Sequence, residues 1–170
     1  MLDTELSNGA SMNLTRDDLS LLVRREMVDL LNRQLACSID LMQQARQAHW
    51  TVKGLNFMAL HELFEKIAEG AAGYADLLAE RTVQLGGVAE GTVQVVAANS
   101  QLDQYPAAIS DSAEHLECMS SALTRYARMI RGAISECKHL GDAVSADILT
   151  EISRGAGKWL WFVEANKRGD

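Results

Sequence analysis

One proline, Pro106, stands in a chain of 170 residues. Chains assembled from many short strands and turns use proline freely as punctuation, so a chain with one is pushed toward long helices. The apolar pattern agrees. Leu31, Leu35, Ile39 and Met42 recur three or four positions apart among charged residues, which is one face of a helix. A first helix is expected from Thr15, an N-cap with Asp18 three positions on, to about Lys53, with Gly54 at its end. A second is expected from Asn56 to about Leu85, stopped by Gly86-Gly87. Gly70 and Gly73 lie inside it, so they either allow close packing there or interrupt it.

Residues 88–108 form a long connection. Its stretch Thr92 to Ala97 reads as a short helix or a strand, and Val93, Val95 and Val96 tilt propensity toward strand. A third helix begins at Ser110 or Ser112 and ends near Leu140-Gly141, and a fourth runs from Ser145 to Lys167. Four long helices with one long crossover give an all-α, ferritin-like four-helix bundle. Residues 1–13 are polar and aperiodic and are expected to be a flexible tail, leaving 14–170 as a single domain.

Composition narrows the function. No apolar run approaches the roughly 20 residues of a membrane span. The N-terminus lacks the basic start and apolar stretch of a secretory signal, so the cytoplasm is the expected compartment. Cys37, Cys118 and Cys137 are an odd set without pairing spacing and read as small buried hydrophobes. A formal net charge of −7 argues against binding DNA through a broadly positive surface.

No phosphate-cradling glycine loop, nucleophile elbow or Cys-x-x-Cys pair occurs. Histidines and carboxylates of the first two helices remain. His49 ends the first helix, and His61 lies early in the second with Glu65 four residues on. Asp76 and Glu80 form another pair four apart on one face. Fifteen residues separate His61 from Asp76, a rise of roughly 22 Å on one helix. No side chain spans that, so these groups share a metal only between two chains packed antiparallel about a two-fold axis. His49, returned by the turn at Gly54, would complete the histidine half. Such a mixed N/O set suits Fe(II), Mn(II) or Zn(II). The plainer alternatives stay open at this point. Each histidine also fits an interface role, and Asp76 and Glu80, followed by Arg81, also fit a solvated, ion-paired face. Glu136 and His139 formally match the Glu-x-x-His motif, once, at a helix end where a histidine is expected from the helix dipole.

The run Gln47-Ala48-His49-Trp50-Thr51-Val52-Lys53-Gly54, with Phe57, Leu60 and His61-Glu62-Leu63, resembles the Dps family, the DNA-binding proteins from starved cells. The likeness continues through Asp76, Ala79-Glu80-Arg81, Gln84-Leu85-Gly86-Gly87 and Gly91-Thr92. It recurs at Tyr105-Pro106, Ala146-Asp147-Ile148-Leu149-Thr150 and Leu160-Trp161-Phe162. The resemblance implies iron storage and detoxification in a hollow dodecamer built from two-fold dimers. Fe(II) would be oxidised, preferably by hydrogen peroxide, at inter-subunit ferroxidase sites, and ferric mineral would collect inside. It carries the iron ligands onto His49, His61, Asp76 and Glu80, with Glu65 where many members have Asp. It makes Trp50 a shield or quencher of oxidising species, with interface packing as the plainer role. It places Asp147, joined by Glu151, at a three-fold pore. Two departures stand out. Relatives that bind DNA often carry a lysine-rich tail, whereas residues 1–20 here hold Asp3, Glu5, Asp17 and Asp18 against Arg16 and no lysine. Weak or absent DNA binding is therefore expected, and a nucleoid-compacting cage is the alternative function. Gly155 and Gly157 stand where relatives often have Asp, so an inter-subunit ion pair is expected to be missing.

Overall fold

The computed structural model describes residues 12–167. Most of the expected tail therefore lies outside the described residues. Met12, however, packs against the core and the Asn13 amide donates to the Gly86 carbonyl, so chain ahead of residue 14 is already tied to the body.

The order is α1 (Leu21–Thr51), α2 (Phe57–Gln84), α3 (Val93–Asn99), α4 (Ser112–Leu140) and α5 (Ala143–Ala165). No strand is present among the described residues. Helix α1 lies along α2 and α4 along α5, and the two hairpins join through α1–α4 and α2–α5 contacts, with α3 resting on α1. This is the all-α bundle with a long crossover expected from the helical period. Between the pairs lie Met27, Leu31, Leu35, Phe64, Ile67, Met119, Leu123 and Tyr126, all fully buried. Each such large apolar side chain contributes about 1.5–3 kcal/mol of transfer free energy. The Tyr126 hydroxyl meets Ser38 at 2.7 Å and ties α4 to α1 inside the core.

Several expected boundaries move. Thr15 does not cap α1; its Oγ1 accepts from the Asp17 amide, and Asp17 Oδ1 accepts from the Leu19 amide. These turns delay the helix until Ser20, whose Oγ accepts from the Val23 amide. Asn56 is the N-cap residue of α2, but its side chain caps nothing; it sits at φ 64°, a left-handed conformation Asn tolerates. Helix α4 begins at Ser112 on an Asp111 cap, and α5 begins ahead of Ser145 on an Asp142 cap. The valine stretch of the crossover forms α3, a helix rather than a strand. With no neighbouring strand to pair with, its backbone hydrogen bonds close locally, and Val96 turns into the body.

Helix α2 runs through Gly70 and Gly73 unbroken. A Cβ at Gly70 would lie 2.8 Å from the Trp159 indole nitrogen, so close packing of α5 on α2 is the reason for glycine there. Gly73 faces open space in the single chain. All three cysteines are free, Cys37 and Cys137 fully buried and Cys118 partly so. Burial pushes the Cys137 thiol up to about 12, so it is inert as a nucleophile.

Candidate metal centre

The short Val52–Asn56 connection turns the chain back so that the last turn of α1 faces the first turn of α2. His49 and His61 stand six residues either side of Leu55, and this symmetry produces a reciprocal contact. His49 Nδ1 donates to the His61 carbonyl at 2.8 Å, and His61 Nδ1 donates to the His49 carbonyl at 2.8 Å. The rings stack with centroids 3.7 Å apart. At a helix C-terminus the last carbonyls lack intrahelical donors, and the Lys53 amide goes elsewhere, to Ser110. The His61 ring takes up the His49 carbonyl that is left over.

Tautomers follow from this pairing. A carbonyl oxygen only accepts, so both Nδ1 atoms carry hydrogen, and each neutral ring keeps its Nε2 lone pair free. Two imidazoles oriented in this way can offer two nitrogen ligands to a metal, and the backbone contact is of the kind that orients metal-binding histidines. Both histidines are partly exposed.

Glu65, Asp76 and Glu80 are exposed on α2. At 100° per residue they fall within about a third of a turn of His61, on one outward face. They are not gathered with the histidines inside one chain: among the described residues, no group of three or more His, Cys, Asp or Glu comes within reach of one ion. The midpoint of His61 and Glu80 along the helix coincides with that of Glu65 and Asp76, between Gly70 and Ala71. An antiparallel copy of α2 crossing there sets His61 opposite Glu80 and Glu65 opposite Asp76. The histidine end is flanked by exposed apolar side chains, Trp50 at 64%, Leu55 at 70% and Met58 at 61%. Apolar surface of that kind marks a contact face.

Arg81 does not share the carboxylate face. It turns inward, 7% exposed, and its guanidinium binds both Asp142 oxygens at 3.0 and 3.1 Å. Arg81 Nε also donates to Ser145 Oγ. Asp76 and Glu80 are therefore left without the cation that the ion-paired alternative assigned them. Burial alone would push the Asp142 carboxyl up, but hydrogen bonds from Ser145 and Arg81 outweigh it and hold the group below its ordinary value.

The remaining candidates stand apart. Asp147 and Glu151 lie four residues apart on α5, both exposed. Glu136 pairs with Arg33 at 3.6 Å, and His139 is exposed at the far end of α4. Gly155 has a reason within the chain: a Cβ there would strike the Tyr74 hydroxyl. Sequence reasoning missed His115. It is fully buried, its Nδ1 lies 2.8 Å from the Tyr105 hydroxyl, and its Nε2 lies 3.2 Å from Thr51 Oγ1. Its place three residues after Ser112, in the first turn of α4 facing inward, was the available signal.

Comparison with known proteins gives a consistent picture. The sequence model of the Ferritin-like domain family matches residues 28–167. A DNA protection during starvation protein of Agrobacterium fabrum is 40% identical over 152 residues, covering 89% of this chain and 94% of that one. The solved Mycobacterium smegmatis Dps is 30% identical and superimposes with a TM-score of 0.86, covering 91% of this chain and 93% of that one. Dps from Microbacterium arborescens in its high iron form is also 30% identical, with a TM-score of 0.81 over 89% and 97% of the two chains.

Proposed function

The chain belongs to the ferritin-like Dps family, and from that premise we propose that it oxidises ferrous iron at a site shared by two copies and stores the product in a closed shell. His49 and His61 of one subunit face Asp76 and Glu80 of the other, and Glu65 lies beside the histidine pair. The observation that carries this reading is the reciprocal imidazole pair, which leaves two Nε2 lone pairs on an exposed face. The solved relative in a high iron form supports iron as the substrate.

The ligand set matches the chemistry. Imidazole nitrogen holds Fe(II), and hard carboxylate oxygen favours Fe(III), so oxidation strengthens the anionic half of the site. Two ferrous ions supply two electrons to one hydrogen peroxide, which leaves as two waters after taking up two protons. The residues ligate and orient the ions, and the protein needs no acid–base group for the electron count. Trp50, exposed and next to His49 in sequence, would intercept stray oxidant or pack against the partner. Asp147 and Glu151 are a candidate lining for an iron pore. Twelve subunits, a cytoplasmic setting and peroxide as the preferred oxidant complete the proposal.

The test is anaerobic loading of the apo protein with Fe(II), followed by peroxide. Replacing both His49 and His61 with Gly should abolish the fast phase of oxidation, a loss of at least about tenfold, or 1.4 kcal/mol of barrier. Assembly should survive, because the apolar flank is untouched. Fast oxidation persisting in that variant would remove the site from these residues.

A further inference from the structure

We infer that Tyr105 is a redox-active tyrosine that stores one oxidising equivalent generated at the iron site, with His115 as its proton acceptor; this deepens the proposed iron oxidation and rests on it. The donor and acceptor roles can be followed from Thr51 along a chain of three residues. Thr51 Oγ1 spends its one proton on the Gln47 carbonyl at 2.6 Å. Toward His115 it therefore accepts, so His115 Nε2 carries hydrogen and His115 Nδ1 offers its lone pair. The Tyr105 hydroxyl then donates to that lone pair at 2.8 Å. A phenol hydrogen-bonded to a base gives up an electron and its proton together, because the proton has somewhere to go at the moment the electron leaves.

The other tyrosines lack this arrangement. Tyr126 donates to Ser38, whose own proton goes to the Gln34 carbonyl, so no base receives it. Tyr74 lies against Gly155 and Trp159, with no histidine bonded to it.

Position links the pair to the site. Thr51 is the residue after Trp50 and lies two after His49. On the other side His115 lies 6.1 Å from the ring of Phe64, three residues after His61. Tyr105 is partly exposed and lines a pocket of about 180 Å³ with Gln44, Cys118 and Ser121. Burial holds His115 below the ordinary imidazole value and so favours the neutral ring, while Glu114, the Ile109 backbone and Asp111 favour the charged form and would steady a proton received there.

Such a store has a use whenever a site holds one ferrous ion. That ion gives one electron to hydrogen peroxide, leaving Fe(III), hydroxide and a hydroxyl radical beside Trp50. Tyr105 gives one electron to the radical, directly or through Trp50, making a second hydroxide, and passes its phenolic proton to His115 Nδ1. A second ferrous ion later returns the electron, His115 returns the proton, and the sum is two Fe(III) per peroxide.

The test is electron paramagnetic resonance on samples frozen within milliseconds of mixing limiting Fe(II) protein with peroxide. A tyrosyl signal is expected in the unmodified protein and in the Tyr74→Phe/Tyr126→Phe variant, which retains only Tyr105. It should vanish in Tyr105→Phe. It should also be lost in His115→Gln, which keeps hydrogen-bonding groups but no basic lone pair. Absence of the signal from the unmodified protein, its survival in folded Tyr105→Phe, or its full retention in folded His115→Gln overturns the inference. Photochemical oxidation with a ruthenium(III) complex, without iron, separates the two readings. Should His49→Gly/His61→Gly oxidise iron as before while light still produces the Tyr105 radical, the iron site is wrong and the redox pair stands.

Discussion

At the scale of single residues, the geometry sorts polar groups into those bonded inward and those left with free lone pairs. Arg81 and Asp142 belong to the first kind, and their value is testable. Removing one partner of a buried, hydrogen-bonded pair strands the other, which costs about 3–5 kcal/mol. Arg81→Met should lower the urea midpoint correspondingly, with helix content unchanged at low denaturant. The pH dependence has a definite sign. Asp142 is held below its ordinary carboxyl value in the folded state. Its stabilisation is therefore complete above the unfolded value of about 3.9 and fades as pH falls through the lower folded value. Asp142→Asn should be less stable at neutral pH and show a shallower acid limb. Equal acid limbs for the two proteins in chemical denaturation would sink that assignment.

At the scale of helices, legibility follows the range of the forces. Long helices show in sequence because burying one face imposes a 3.6-residue period on every turn. Caps show less well. Thr15 looked like a cap and Asp142 did not, because a capping side chain acts through one local bond that neighbouring turns can divert. The valines of α3 misled propensity because strand preference means fitting a pleated surface, and no sheet is there to provide one. The candidate ligands drew attention by spacing and by resemblance, since the rise per residue forbids His61 and Asp76 from meeting in one chain. Their tautomers were not, because these depend on a backbone carbonyl across the turn. His115 was missed because its partners lie in three different elements.

The same ruler yields a prediction for α2. If two copies of this helix cross between Gly70 and Ala71, the small residues Ala72 and Gly73, which are not buried in the single chain, set the helix separation. Ala72→Trp should push the copies apart. Sedimentation should then show loss of the dimer and of larger assemblies, and peroxide-driven iron oxidation should fall with it. Far-ultraviolet circular dichroism should stay helical, because Ala72 lies outside the buried core. Fast oxidation by a monomeric Ala72→Trp protein would show that one chain holds a complete centre.

At the scale of the whole molecule, charge decides what the shell touches. The family takes its name from DNA, yet this chain carries a formal −7. Its cations are also partly spoken for, since Arg33, Arg81, Arg125 and Lys167 each face a carboxylate within 4.0 Å. Within that total, the first twenty residues hold four carboxylates against one arginine. In an assembly of such subunits that excess would be multiplied, and the DNA backbone would meet a surface of its own sign. Non-specific binding draws its free energy from counterions released by Lys and Arg at phosphates, and log affinity falls with log salt by about 0.9 per phosphate neutralised. A surface with a net negative charge is expected to release few. In a gel-shift assay at roughly 0.15 M salt, where charges beyond about 8 Å are screened, the protein should leave plasmid unretarded. A variant with Asp3, Glu5, Asp17 and Asp18 all changed to Lys should retard it, with binding that weakens steeply as salt rises. Salt-sensitive retardation by the unmodified protein would mean that charge is concentrated somewhere the net count conceals, and the cage would then have to be read as a DNA-binding one.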